Sequence, residues 1–135
     1  MLNIRKMCES APMVPVLTID EIASAVPLAQ ALVAGGINVL EITLRTETAL
    51  VAIEAVRAAC PDAVVGAGTL RSAGDVSRCM NSGAQFGVSP GAPERLMDAV
   101  GSAAVSYTHL RAHETNDLIS YAVFCLKRGG GGGGG

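Results

Sequence analysis

Glutamate 41 lies inside the run Gly36-Ile37-Asn38-Val39-Leu40-Glu41-Ile42-Thr43-Leu44-Arg45-Thr46, an apolar stretch with an arginine just past its end. A charge buried without a partner costs several kcal/mol or is neutralised. A fold therefore keeps a carboxylate there only when something pairs with it or uses it. Two kinds of chemistry fit the residue types: proton transfer by a carboxyl group beside a fixed guanidinium, or a plain structural ion pair. If the run is a strand, alternation puts Ile37, Val39, Glu41 and Thr43 on one face and Leu40, Ile42 and Leu44 on the other. Glu41 then points to one side of a sheet that is apolar on both sides.

Other candidates carry weaker signals. Gly66 and Gly68, ahead of Thr69, fit either a phosphate cradle or close backbone packing at a strand end, and packing is the commoner role. Pro90-Gly91 reads as a turn. His109 and His113 have a spacing that could hold zinc on a helix, but no third ligand accompanies them, so no metal site is expected. Cys8, Cys60, Cys79 and Cys125 are scattered without a C-x-x-C pair, as reduced thiols are, rather than a disulfide framework.

Composition bounds the partners. Half of the 135 residues are hydrophobic and 16% are charged, enough apolar content for a core in one domain. With 3% aromatic residues and no Trp, that core must come from Val, Leu, Ile, Ala and Met, which suit close packing of helices on a sheet. A formal net charge of −2 without a basic cluster ahead of the tail excludes nucleic acid as the expected partner. Arg5 and Lys6 are followed by no signal-peptide apolar region, and the longest apolar stretch, Ala31 to Leu40, is too short for a bilayer. The expectation is a soluble, cytoplasmic chain with no membrane partner.

The elements that must position Glu41 alternate. Met13 to Leu17 reads as a strand. Ile22 to Ala34 reads as a helix with Pro27 in its early turns, where a bend or a second start is expected. Gly35-Gly36 supplies a left-handed stop. Ile37 to Thr43 is the second strand. Thr46 is placed to cap a helix from Glu47 to about Ala59, and Ala63 to Ala67 forms a third strand. Ser72 caps a helix to about Met80, Ala84 to Val88 is a fourth strand, and a helix from Pro93 to about Val100 follows. Strand-then-helix units with strands apolar on both faces predict an α/β fold with a helix-covered parallel sheet. A (β/α)₈ barrel and a doubly wound sheet both fit four such units. From about residue 105 the pattern collapses, and the chain ends in seven glycines.

The segments VPVLTID, AVPLAQALVAGGINVLEITLRTETAL, VVGAGTL and GAQFGVSPG resemble the N-terminal half of the 2-keto-3-deoxy-6-phosphogluconate aldolases, a family that includes 4-hydroxy-2-oxoglutarate aldolases. The likeness runs over about residues 8–100. It implies a (β/α)₈ barrel, a homotrimeric parent, and class I aldol cleavage through a lysine Schiff base with pyruvate, with neither metal nor organic cofactor. The substrate would be a 2-keto acid, cleaved to pyruvate and glyceraldehyde 3-phosphate or glyoxylate. By the same resemblance, Glu41 is the general acid/base and Arg45 holds the substrate carboxylate or positions Glu41. Thr69 hydrogen-bonds substrate and Pro90 shapes the pyruvate pocket. The family's lysine lies in a later F-K-F-F-P-like segment that is missing here, where the lysines are Lys6 and Lys127. Segment 105–128 resembles a translated sequencing adapter, and the glycine run a translated no-signal read. The expectation is thus a truncated, inactive barrel domain over 1–104 with a non-native or disordered tail over 105–135. The competing expectation is a non-catalytic half-barrel that self-associates through open sheet edges.

Overall fold

The computed structural model describes residues 3–11, 13–91, 94–111 and 120–126. Its elements are α1 (Ile4–Ser10), β1 (Val16–Leu17), α2 (Ile22–Ala34), β2 (Val39–Thr43), α3 (Ala49–Ala59), β3 (Val64–Gly68), α4 (Ala73–Asn81), β4 (Phe86–Pro90), α5 (Glu94–Ala103), β5 (Ala104–Arg111) and β6 (Ser120–Leu126). They form one sheet in the order β1-β2-β3-β4-β6-β5. The first four strands are parallel neighbours in chain order, as successive βα units require.

Each strand is placed by a local stop signal and an apolar run. Helix α2 ends where Gly36 takes a φ of +90°, and the Ile37 N–H reaches back to the Leu32 carbonyl at 2.9 Å. That left-handed turn delivers the chain directly into β2. Gly83, with a φ of +87°, does the same between α4 and β4. Ser72 caps α4, its hydroxyl accepting from the Asp75 N–H at 3.2 Å.

The sheet separates two buried clusters. Leu40, Ile42, Val65 and Ala67 face the layer of helices and pack with Ala52, Ile53, Val56 and Val76. Val39 and Phe86 face the other side with Val123 and Cys125 of β6, and Ile4 and Met7 of α1 pack in the same cluster. The alternation expected along β2 is therefore the observed one, and all five of its residues are buried.

Four expectations are corrected. Helix α2 runs unbroken through Pro27, because its remaining turns and the burial of Ala25 and Ala29 outweigh one lost backbone bond. Thr46 does not cap α3. Its hydroxyl and that of Thr48, the N-terminal flanking residue, both donate to the Ile19 carbonyl at 2.6 and 2.5 Å, tying the β2–α3 turn to the β1–α2 turn. Helix α1 was not expected from the sequence; Asn3 caps it by accepting from the Arg5 N–H at 2.8 Å. Beyond α5, where no regular element was expected, β5 and β6 form an antiparallel hairpin laid against β4. The open edge of β4 presents unpaired backbone groups, and the apolar run before Lys127 satisfies them. The parallel series nevertheless ends at β4. His113 and Lys127 lie outside the described residues.

Candidate active site

On the α1 side of the sheet, the register aligns Val16, Glu41, Gly66, Phe86 and Cys125 in one row across five strands. The next row toward the C-terminal strand ends pairs Thr43 with Gly68. The two glycines create the room that the neighbouring side chains occupy. A Cβ on Gly66 would sit 2.5 Å from the Phe86 ring, and one on Gly68 would sit 1.9 Å from Oε1 of Glu41. The carboxyl group of Glu41 therefore lies over the bare backbone of Gly68. Close packing, rather than a phosphate cradle, accounts for both glycines.

Glu41 is 9% exposed. Burial raises the pKa of its carboxyl above the ordinary glutamate value, and the positive charge of Arg45 offsets part of that rise. Arg45 itself is exposed. It acts on Glu41 through the field rather than by contact, since the ion pairs among the described residues are Arg5–Glu9 and Arg78–Asp75. The expected pairing is thus present as an electrostatic influence at longer range. Thr43 is buried and donates to the Leu17 carbonyl at 3.2 Å, anchoring the end of β2 to β1.

Thr69 follows β3 directly and adopts a φ of 63°, the left-handed region that costs a residue with a Cβ about 1–2 kcal/mol. Such strain held in place beside a cleft is a mark of a functional position. Its hydroxyl makes no hydrogen bond among the described residues. Pro90 ends β4 and is exposed at the rim. Glu41, Arg45, Thr69 and Pro90 all line one cavity of about 500 Å³. The structure thus brings together every residue expected at the site. Arg45, Thr69 and Pro90 sit at or just beyond the C-terminal ends of parallel strands, where βα loops assemble ligand sites, and Glu41 reaches the cavity from the middle of β2.

The remaining wall is one that sequence reasoning missed. Ile4, Met7 and Cys8 of α1, with Val14, Phe86 and Val123, give the cavity an apolar lining. The spacing of residues 4, 7 and 8 is that of one helical face, and it was the signal available. Arg71, exposed in the β3–α4 loop, is a second cation on the wall. A buried acid with a raised pKa, a neighbouring guanidinium, a strained threonine and apolar surroundings can shuttle a proton to a small anionic ligand whose charge a cation holds.

A sequence model for the family described as KDPG and KHG aldolase matches residues 4–112. Over 88 residues the chain is 52% identical to the 2-dehydro-3-deoxy-phosphogluconate aldolase of Pseudoalteromonas atlantica, spanning 65% of this chain and 41% of that protein. It is 48% identical over 90 residues to the KHG/KDPG aldolase of Escherichia coli K12, spanning 67% and 42%. Among solved structures, the 2-keto-3-deoxy-6-phospho-gluconate aldolase of Zymomonas mobilis ATCC 29191 superposes with a TM-score of 0.71 at 46% identity, over 75% of this chain and 48% of that one. The KDPG aldolase of Legionella pneumophila, solved with pyruvate captured as a covalent carbinolamine, gives 0.68 at 42% identity over 70% and 46%. The chain spans less than half the length of each of these relatives. Its four βα units are the N-terminal part of a (β/α)₈ barrel. By its strand order and its matched sequence, the chain belongs to the KDPG and KHG aldolase family.

Proposed function

We propose that the cavity is the proton-transfer and carboxylate-holding side of a class I, pyruvate-releasing aldolase site, and that this chain by itself does not complete the reaction. The placement of the Glu41 carboxyl over Gly68, buried and under the field of Arg45, carries this reading. A lysine amine attacking the 2-keto carbon forms a carbinolamine, which loses water to an iminium. Cleavage of the C3–C4 bond then leaves an enamine and releases an aldehyde as the C4 hydroxyl gives up its proton. Glu41, its pKa raised by burial, exchanges protons at the carbinolamine and enamine stages. Arg45 holds the pyruvate carboxylate, Thr69 donates or accepts a hydrogen bond beside it, and Pro90 bounds the pocket.

Among the described residues no lysine lines the cavity. Lys6 is exposed and the residues of α1 that face the cavity are Ile4, Met7 and Cys8. The parent reaction is cleavage of 2-keto-3-deoxy-6-phosphogluconate or of 4-hydroxy-2-oxoglutarate by a homotrimer in the cytoplasm. No helix among the described residues is long and apolar enough to cross a membrane. Borohydride reduction in the presence of pyruvate tests the proposal. The chain is expected to gain no covalent pyruvyl mass, while a full-length relative treated alongside does. A stable adduct on Lys6 or Lys127 overturns it.

A further inference from the structure

Arg45, Thr69 and Arg71 line not only the main cavity but also a smaller recess of about 320 Å³, whose other walls are Leu44 and Asp75. These three residues therefore form the wall that the two spaces share, and it carries one hydroxyl and two guanidinium groups. Asp75, the acid on the recess wall, is already engaged: its carboxylate accepts from the Arg71 backbone N–H at 2.9 Å and pairs with Arg78. The backbone bond fixes where Arg71 leaves the loop, while its guanidinium makes no ion pair or hydrogen bond among the described residues. Two uncommitted forks on one shared wall match an anion with more than one acidic group, because each fork takes one carboxylate in a planar, two-point arrangement.

We propose that Arg71 is a second anion anchor of this site, working with Arg45 and Thr69, and that it makes the site select small 2-oxo acids bearing two carboxylates over those bearing one. The proposal rests on reading the main cavity as a 2-oxo acid site. One carboxylate lies on the cavity side of the shared wall with Arg45, and the second crosses to the recess and Arg71. Arg71 is a specificity-determining residue in this scheme and touches no reacting atom.

Titration of the full chain with 2-oxoglutarate and with 2-oxobutyrate, followed by amide NMR shifts, tests it. The two probes share the 2-oxo acid end and differ in the second carboxylate. The unsubstituted chain is expected to bind 2-oxoglutarate about tenfold tighter, the scale of one charge-assisted contact at a partly exposed site. Arg71→Ala should bring the ratio to about one, and Arg71→Lys, which keeps the charge without the fork, should restore part of it. Because the Arg71 side chain is exposed and its backbone makes the Asp75 bond, these variants keep the cap of α4. A ratio near one in the unsubstituted chain, or an undiminished ratio in Arg71→Ala, overturns the assignment of Arg71. If 2-oxobutyrate still binds and Arg45→Ala weakens it, only that assignment falls; if neither acid binds, the reading of the cavity falls with it.

Discussion

Glu41 joins a polar side chain to an apolar environment, and two consequences can be measured. Its carboxyl has a folded-state pKa above the unfolded value, so at pH values between the two the folded chain binds more protons than the unfolded chain. This group's contribution is then favourable at or below the ordinary glutamate pKa and is lost as the pH rises through the folded value. Glu41→Gln, which is neutral at all pH values, should flatten that decline, and urea midpoints at pH 5 and pH 8 should differ less than in the unsubstituted chain. The second consequence concerns Gly68, whose Cβ would lie 1.9 Å from the Glu41 carboxyl. Gly68→Ala should cost about 1–3 kcal/mol by overpacking. In a Glu41→Ala background most of that cost should vanish, and a double-mutant cycle by chemical denaturation reads the coupling. Additive costs would show that the two positions do not meet. Thr69 illustrates the reverse case, in which the backbone is strained and the side chain left available.

At the scale of elements, local signals and tertiary demands divide the work. Ser72 satisfies an orphan N–H at the start of α4, and the adjoining loop carries Thr69 and Arg71. Ser72→Ala should destabilise the chain by about 1 kcal/mol, measured by thermal or urea unfolding. Burial alone would raise Asp75, but the Arg71 N–H, the Arg78 guanidinium and the Ser72 N–H hold its carboxyl below the usual aspartate range. Burial pushes the thiol of Cys79 up to about 12, so it behaves as a small apolar side chain of the helix-side core. Helix α1 was not legible, because seven residues carry too little periodicity to stand out. What stabilises it is the apolar face that β2, β4 and β6 offer to Ile4 and Met7.

For the molecule as a whole, a sheet that is part of a barrel has edges. Strand β1 is only two residues long; its Val16 is 60% exposed, and Met13 just ahead of it is 63% exposed. Exposed apolar residues on an unpaired edge recruit a further strand. The full chain should therefore associate as its concentration rises in light scattering, and Val16→Lys should shift it toward monomer. A monodisperse monomer at all concentrations would rule out self-association through this edge.

Much of this protein was written in its residue order. The spacing of strands, helices and glycine stops predicted the four βα units, and alternation along β2 put Glu41 on one face, because both are consequences of local backbone geometry. The likeness of its motifs to the aldolases pointed to Glu41, Arg45, Thr69 and Pro90, which share the cavity wall. Residues that act by meeting across the sheet were beyond a linear reading. Nothing local reveals that Gly68 makes room for Glu41, that Gly66 makes room for the Phe86 ring, or that Arg71 shares a wall with Arg45. The antiparallel return of β6 against β4 was equally hidden. In each case the cause lies on a neighbouring strand or loop, and strand register, set only when the sheet assembles, decides which side chains face one another.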